Sequence, residues 1–261
     1  MTHPFLQKQL RFFLTAPAPC PYLPGREERK VFTHLQGPDS EALNDVLTQA
    51  GFRRSQTIAY RPACEGCDAC QSARIRVTDF VPSASMRRTL ARNRDLVAEP
   101  VAAVTTREHY ALLQRYLDSR HKDGGMADMS FFDTVAMIEE TSVNTHMVEY
   151  RLPGENNTPG QLLAVALVDG LSDGLSLVYS FFDTDAAHKR RSLGSYIILQ
   201  HIEAARTRHL PYVYLGYWVP GSDKMAYKAR FKPLEILQKH ADWRDLTEAD
   251  ENQPPPPIPK R

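Results

Sequence analysis

The order of the predicted elements in the second half of the chain most constrains its fold. Three predicted strands are separated by loops rich in Gly, Pro, Asn and Asp, which is typical of an antiparallel meander. A basic turn, a helix and a further strand follow, and the unpaired N–H groups at the start of such a helix can bind a phosphate. The six predicted segments cover residues 146–152, 161–169, 175–183, 188–195, 196–208 and 212–217.

This order resembles the second half of an acetyltransferase fold of the GNAT type, in which the equivalent turn holds coenzyme A. The turn here has one glycine, Gly194, where that pattern has two small positions, so coenzyme A is not expected as a cofactor. Two helices are predicted before the strands, over 108–121 and 131–140. We therefore expect an α+β fold with a GNAT-like acyltransferase body over 101–240 and a mixed or antiparallel sheet.

Residues 1–100 are expected to form a smaller, cysteine-containing N-terminal region. Six prolines between residues 17 and 62 leave room only for short elements, such as a helix over 40–50 and a strand around Ile75. Residues 241–261 begin acidic and end in a proline run, which predicts a solvated, flexible tail without a packed core.

The cysteines are few and clustered. Cys64, Cys67 and Cys70 follow one another at three-residue intervals, and the fourth cysteine is Cys20. Thiolates spaced in this way on a Gly-containing loop can converge on one ion, as a zinc or iron–sulfur site requires. Three reduced surface thiols and a buried Cys20 are the alternative. We predict that these four cysteines bind a metal ion or cluster.

A basic stretch runs from residue 74 to residue 94, with six arginines and a single acid. A solvated helix face usually interleaves acids with bases, and this one does not. Because the net charge is only +1, a polyanion must be bound by such a local patch. We predict that four arginines on a helix beginning at Ser83 or Ser85 bind phosphates, namely Arg87, Arg88, Arg92 and Arg94.

No run of residues approaches the roughly 18 apolar positions that a membrane helix needs, the longest being 162–168. The first residues also lack a basic and then apolar targeting pattern. We therefore expect a cytoplasmic protein without a membrane partner.

Several motifs, taken in order, resemble those of the aminoacyl-tRNA–protein transferase family. They lie at 20–26, 60–70, 80–93, 176–183, 192–196 and 216–228. The short chain and the CxxCxxC run are similar to the bacterial branch, which implies transfer of leucine from leucyl-tRNA to proteins that begin with Asp or Glu, marking them for degradation. The eukaryotic branch transfers arginine, is longer and arranges its cysteines differently. The resemblance also favours an iron–sulfur cluster over zinc.

The chemistry that the resemblance implies needs neither ATP nor coenzyme A, because an aminoacyl ester is already activated. The attacking α-amine is substantially neutral at cellular pH, so positioning can provide most of the catalysis. A donor for the oxyanion is still expected. Tyr179 and Tyr217 are candidate donors and Asp183 is a candidate acceptor of the amine proton, with core packing and a surface acid as the alternative.

An acceptor that begins with Asp or Glu requires a cation, ideally an arginine that pairs with the carboxylate through two hydrogen bonds. The sequence does not choose among five candidates, which are Arg26, Arg61, Arg74, Arg76 and Arg230. A second basic cluster with an aromatic residue suits the single-stranded 3′ end of a tRNA, although an exposed Lys-rich loop is the alternative. It comprises Lys224, Tyr227 and Lys228. Four residues are candidates for the leucyl pocket: Phe181, Phe182, Trp218 and Met225.

Other classes of function remain open at this point. They are an arginyl-tRNA–protein transferase, a GNAT enzyme that uses acetyl-coenzyme A, and a non-catalytic iron–sulfur or zinc protein that binds RNA or senses redox state. The single-glycine turn disfavours the acetyltransferase, and a basic N-terminal region has no use in one.

Overall fold

An eight-stranded mixed sheet and a four-stranded antiparallel sheet contain most of the strands of the protein. The computed structural model describes residues 10–120, 126–156, 158–238 and 242–254. The strands are β1 (Phe13–Leu14), β2 (Ala18–Pro19), β3 (Glu27–Glu28), β4 (Lys30–His34), β5 (Arg53–Ser55), β6 (Ile58–Pro62), β7 (Gln71–Arg76), β8 (Val97–Ala102), β9 (Thr145–Arg151), β10 (Leu162–Leu171), β11 (Gly174–Phe182), β12 (Tyr212–Trp218), β13 (Leu234–Leu237) and β14 (Trp243–Asp245). The helices are α1 (Ser40–Gln49), α2 (Ala84–Arg92), α3 (Arg107–Arg120), α4 (Phe131–Glu139), α5 (Leu193–Thr207) and α6 (Glu248–Glu251).

The large sheet has the order β14-β13-β7-β12-β11-β10-β9-β8. Its neighbouring strands are antiparallel except for β11 and β12, which are parallel and are joined by α5. The parallel pairing covers only the start of each strand, up to Ser176 and Tyr214, and the strands diverge beyond it. The predicted meander is confirmed by β9, β10 and β11. The divergence gives the body its GNAT-like form, and the expected α+β fold is confirmed.

Both faces of the large sheet are covered, which explains the apolar run over 162–168. One core packs β10 and β12 against α5, with Ile197 and Ile202 among its fully buried residues. The other core packs the opposite face against α3 and α4, through residues such as Leu113 and Ile138. Alternate residues of a strand point to opposite faces, so both sets of side chains are buried in a strand that lies between two cores, and both are apolar.

The four-stranded sheet has the order β1-β4-β6-β5 and packs with α1 around its own core. A buried ion pair joins it to the meander: Arg54 Nε and Nη2 donate to the two carboxylate oxygens of Asp169 at 2.6 and 2.7 Å. Thr145 Oγ1 donates to the same carboxylate at 2.7 Å. The ion pair therefore fixes β5 relative to β10, with which it shares no strand pairing.

Two strands of the predicted N-terminal region lie in the large sheet. β7 pairs with β12 and β13, and β8 pairs with β9. The predicted helices over 40–50, 131–140 and 196–208 are present with small shifts at their ends. The helix predicted over 108–121 is α3, although His121 lies outside the described residues.

The start of the predicted tail differs from the expectation. Residues 243–251 form β14 and α6, and Leu246 is buried. The indole N–H of Trp243 donates to the Gln49 carbonyl oxygen at 3.1 Å, and the ring packs on Tyr214 with 5.8 Å between centroids. This segment is therefore anchored by an aromatic residue within an otherwise acidic sequence, while residues 255–261 lie outside the described part. None of the described helices has the length and apolar character needed to cross a lipid bilayer.

Candidate functional site

Arg53 fills the gap where β11 and β12 diverge. Its Nη2 donates to the Val178 carbonyl oxygen of β11 at 2.7 Å. On the other side, a Cβ at Gly216 of β12 would lie 2.3 Å from Arg53 Nη1. Gly216 has a φ of +72°, so only glycine meets both the backbone and the space requirement there. The sequence prediction missed both residues, although a glycine inside a strand is a known sign that another group approaches closely.

Four tyrosines face the Arg53 guanidinium, and no carboxylate does within the described residues. They are Tyr22, Tyr60, Tyr217 and Tyr227. Burial raises the pKa of Tyr22 to about 12, although the charge of Arg53 acts in the opposite direction. Burial also raises the pKa of Tyr217 and Tyr227, so Tyr22, Tyr217 and Tyr227 do not neutralise the arginine at neutral pH.

Lys228 lies beneath this site and is only 2% exposed. Its ammonium group donates to the Tyr217 carbonyl oxygen. Burial, and then the charge of Arg53, hold the pKa of Lys228 well below its usual range. The structure thus places Lys228 inside the protein, whereas the predicted role on an exposed tRNA-binding loop requires a surface position. Its predicted partners Lys224 and Tyr227 are exposed, and Lys224 Nζ donates to the Pro21 carbonyl oxygen at 3.2 Å.

The three predicted catalytic residues occupy separate positions. The Tyr217 hydroxyl lies 3.0 Å from the Tyr60 carbonyl oxygen and 3.3 Å from that of Gly51. Its proton is therefore donated within the protein and not to a substrate. Tyr179 is half-buried on the side of the sheet that α3 and α4 cover, and burial raises its pKa. Asp183 follows β11, accepts the Asp185 N–H at 2.7 Å and lies 3.6 Å from His188 Nδ1.

The apolar wall of the cleft is smaller than the sequence predicted. Phe181 and Trp218 are 1% and 3% exposed and belong to the two cores of the large sheet. Phe182 is half-buried and packs on Tyr116 of α3 with 4.9 Å between ring centroids. Met225 packs among the N-terminal residues near Tyr217. Phe182 and Tyr116 are consequently the best placed of these residues to contact an apolar substrate group.

Two of the predicted acceptor arginines are already paired with carboxylates. Arg74 Nε lies 2.6 Å from Glu235 Oε2, and its guanidinium packs 3.5 Å from the centroid of the Tyr212 ring. Arg76 contacts Glu235 at 2.6 Å, Asp79 at 2.7 Å and Asp245 at 3.1 Å. Both arginines stabilise the β7 side of the sheet, so neither is available to a substrate.

The other three predicted acceptor arginines have contacts elsewhere in the protein or are exposed. Arg26 Nη1 is 3.8 Å from Cys67 Sγ. Arg61 is exposed, packs 5.1 Å from the centroid of the Phe52 ring and lines a cavity of about 670 Å³. Arg230 is exposed at the end of the short 3-10 helix Ala226–Arg230.

The four cysteines are half-buried, form no disulfide and lie near enough to interact electrostatically. Burial, with smaller effects from the other three thiols, raises the pKa of Cys70 to about 12. Within the described residues, however, no group of three or more His, Cys, Asp or Glu side chains is close enough together to hold a metal ion. As placed, the thiols do not fit a zinc or iron–sulfur site. The cluster stays a prediction.

The predicted phosphate-binding arginines are all exposed, and Ser83, one of the two predicted caps, is the N-cap of α2. Arg92 donates to the Arg190 carbonyl oxygen, and Asn93 Nδ2 donates to that of Arg191 at 2.7 Å. These bonds join α2 to the basic turn before α5, where Lys189 and Arg190 are exposed. Two basic segments that are distant in sequence therefore form one surface, which we call the α2–turn surface.

An acyltransferase of the GNAT-like class is what this fold and site define: a cleft between diverging parallel strands, with a basic surface beside the helix that follows. The chain belongs to the aminoacyl-tRNA–protein transferase family. Residues 18–88 match the family described as the N terminus of arginine-tRNA-protein transferase, and residues 108–238 match the family described as its C terminus.

Relatives named aspartate/glutamate leucyltransferase match almost the whole chain. The protein from Caulobacter vibrioides is 60% identical over 98% of this chain and 91% of its own length. Those from Phenylobacterium zucineum and Parvibaculum lavamentivorans are 59% and 58% identical, over 96% and 90% of this chain and 98% and 94% of their own. Among solved structures, L-PGS from Bacillus licheniformis aligns with a TM-score of 0.42 and 13% identity, over 62% of this chain and 52% of that one.

Proposed function

We propose that this protein transfers leucine from leucyl-tRNA to the N-terminal α-amine of proteins that begin with Asp or Glu, which marks those proteins for degradation. The observation that carries the proposal is the identity of 54% to 60% to relatives that bear the leucyltransferase name. Arg53, which has no carboxylate partner among the described residues, and the basic α2–turn surface support it, because an acidic acceptor and a tRNA both need cations. Charged tRNA is a cytoplasmic substrate, so we expect the protein to act there.

The tRNA binds through its phosphates to the exposed arginines of the α2–turn surface, which is the contact that contributes most to the affinity of nucleic acids for proteins. Four of them lie on or directly after α2: Arg87, Arg88, Arg92 and Arg94. The 3′ end then reaches the gap between β11 and β12, and the leucyl side chain contacts Phe182 and Tyr116. Arginine transfer is not favoured, because this part of the cleft is apolar.

In the reaction the neutral α-amine attacks the ester carbonyl carbon, and a C–N bond forms as the bond to the ribose 3′ oxygen breaks. One amine proton ends on that oxygen, so the products are an amide and a tRNA with a free 3′ hydroxyl. The α-amine has a pKa near 7.7 to 8.0, and the protein therefore contributes mainly alignment. Backbone groups of β11 and β12 that diverge from the sheet ladder are available to stabilise the oxyanion.

The test is transfer of labelled leucine from leucyl-tRNA to a peptide that begins with Asp. Arginyl-tRNA and acetyl-coenzyme A serve as rival donors, and a peptide that begins with Lys serves as a rival acceptor. We expect product only with leucyl-tRNA and the Asp peptide. Equal transfer from arginyl-tRNA would contradict the donor assignment, and acetylation in place of leucyl transfer would contradict the whole proposal.

A further inference from the structure

Arg53, unlike its neighbour Arg54 and the buried Arg74, forms no ion pair with a carboxylate among the described residues. Arg54, the next residue, pairs with Asp169, and Arg74 pairs with Glu235. The one side-chain hydrogen bond of Arg53 within the described part of the chain goes to the Val178 carbonyl oxygen. A guanidinium taken out of water without a counter-charge is unfavourable, so its presence in a cleft indicates that a ligand supplies the anion.

The rest of the site increases this need for an anion. The charge of Arg53 disfavours the charged form of the buried Lys228, and an anion bound at Arg53 would relieve that repulsion. Tyr22 and Tyr60 lie near the guanidinium, and burial raises the pKa of Tyr22. A guanidinium without a carboxylate partner, next to phenol groups, forms a site that favours a carboxylate or a phosphate oxygen.

We infer that Arg53 binds the side-chain carboxylate of the first residue of the acceptor, whether Asp or Glu, through paired N–H···O hydrogen bonds. This inference rests on the proposed leucyl transfer. A guanidinium has five N–H donors in a fixed fork, and four remain after the bond to Val178. The plane of the fork is held because it lies against Gly216, where no side chain intervenes.

The position of Arg53 connects carboxylate binding to the reaction. Its contacts are on β11 through Val178 and on β12 through Gly216, so it lies between the strands whose divergence opens the cleft. In an N-terminal Asp or Glu the carboxylate and the α-amine belong to the same residue. A carboxylate held by Arg53 therefore keeps the amine at the cleft, where the ester of the bound aminoacyl-tRNA has to lie.

The exposed arginines are weaker candidates for the same role. Arg61 and Arg230 lie at the surface, where water screens a charge and little selectivity results. Arg53 is half-buried. When the first residue of the acceptor is Asn or Gln, its side-chain amide leaves the charge of Arg53 unpaired at a site that is only partly exposed to water. Discrimination between Asp and Asn, or between Glu and Gln, follows from that difference.

The test compares the wild-type protein, Arg53→Gln, Arg53→Lys and Arg107→Gln, the last removing an exposed arginine of α3. For each protein, kcat/KM is measured with leucyl-tRNA and matched peptides that begin with Asp, Asn, Glu or Gln. We expect Arg53→Gln to reduce the Asp-to-Asn ratio by at least about 30-fold, through a loss with Asp alone. Arg53→Lys keeps the positive charge but loses the paired N–H donors of the guanidinium, and it is expected to give an intermediate Asp-to-Asn ratio. Arg107→Gln is expected to give the wild-type ratio.

Equal losses with Asp and Asn peptides, together with weaker leucyl-tRNA binding, would overturn the inference and assign Arg53 to a tRNA phosphate. An unchanged ratio in Arg53→Gln would also overturn it while leaving leucyl transfer intact. If Arg53→Gln does not fold, as judged by circular dichroism, the ratio in Arg53→Lys decides, and a wild-type value contradicts the paired hydrogen bonds. Absence of any leucyl transfer by the wild-type protein would instead refute the proposed function.

Discussion

The guanidinium of Arg53 occupies the space that the Cβ of any other residue at position 216 would require. The distance from that Cβ position to Arg53 Nη1 is 2.3 Å, and to Arg53 Cζ it is 2.4 Å. Arg53 lies on β5 of the four-stranded sheet and Gly216 on β12 of the eight-stranded sheet. This contact therefore connects the four-stranded sheet to the gap between β11 and β12. A change at Gly216 is consequently expected to act through Arg53.

Gly216→Ala is expected to displace Arg53 and reproduce the selectivity defect of Arg53→Gln. An alanine at a φ of +72° is also strained, which adds a stability loss of about 1 to 3 kcal/mol. The measurements are urea unfolding and the ratio of kcat/KM for Asp and Asn peptides. Gly25→Ala is a matched control, because Gly25 has the same φ of +72° and no atom within 4 Å of its Cβ position. Equal Asp-to-Asn ratios in Gly216→Ala and the wild type would contradict the link.

Asp169→Asn is expected to destabilise the protein by about 3 to 5 kcal/mol, because it leaves the buried charge of Arg54 unpaired. The Arg54 and Asp169 side chains are 2% and 0% exposed. Urea unfolding at pH 7 measures the change, and Glu203→Gln is the control. Glu203 pairs with Arg206 at the surface, where its side chain is 62% exposed, so its loss is expected to cost less than about 1 kcal/mol. Similar losses in both variants would be inconsistent with a special role for the buried pair.

Local signals predicted the meander and the helices. Alternation and turn residues identify β9 to β11, and the apolar spacing of α3 and α5 is visible within each segment. The family motifs identified the stretch that contains Gly216 but did not assign it a partner. These features depend on residues close together in the chain.

The site could not be predicted in the same way, because its contacts join distant residues. Arg53 and Val178 are 125 positions apart. Arg74 is a candidate in the sequence because nothing there indicates that it pairs with Glu235, 161 positions away. Lys228 was expected at the surface because lysine is rarely buried. An arginine paired with a carboxylate and one without look the same in a sequence, and tertiary structure alone separates Arg53 from Arg74.

Replacement of Arg88 and Arg94 by glutamine is expected to weaken tRNA binding. Each lost phosphate contact should also reduce the slope of log K against log salt concentration by about one unit or less. Binding titrations at several salt concentrations measure both effects. The double variant Arg107→Gln and Arg115→Gln removes the same charge from exposed positions of α3 and is expected to keep the wild-type slope. An identical slope in all three proteins would exclude the α2–turn surface from tRNA binding.

The predicted cluster has a direct test in metal analysis of protein purified without oxygen. If Cys20, Cys64, Cys67 and Cys70 bind an iron–sulfur cluster or zinc, iron or zinc is present in stoichiometric amount, and Cys67→Ser loses it with a fall in stability, since ligand bonds contribute to folding. Less than about a tenth of an equivalent of either metal, with four reactive thiols, would show that the cysteines act as ordinary thiols.

His201 is expected to make the stability of the protein depend on pH between about 4 and 6.5. It is 2% exposed, and its Nδ1 lies 2.7 Å from the Ile197 carbonyl oxygen. Burial lowers its pKa to about 4, whereas in the unfolded chain the value is about 6.5. Below about pH 6.5 the unfolded state therefore binds a proton that the folded state does not. The stability of the protein decreases as the pH is lowered, until the folded His201 is itself protonated.

The expected loss on moving from pH 7 to pH 4 is about 3 kcal/mol from this residue, because each pKa unit corresponds to about 1.4 kcal/mol. Burial also lowers the pKa of His146, which acts in the same direction. The free energy of unfolding in urea is measured across this range for the wild type, His201→Gln and His34→Gln. His201→Gln is expected to flatten the dependence, since glutamine does not titrate, whereas the exposed His34 is expected to have little influence on it. A slope that survives in His201→Gln would show that other groups cause it.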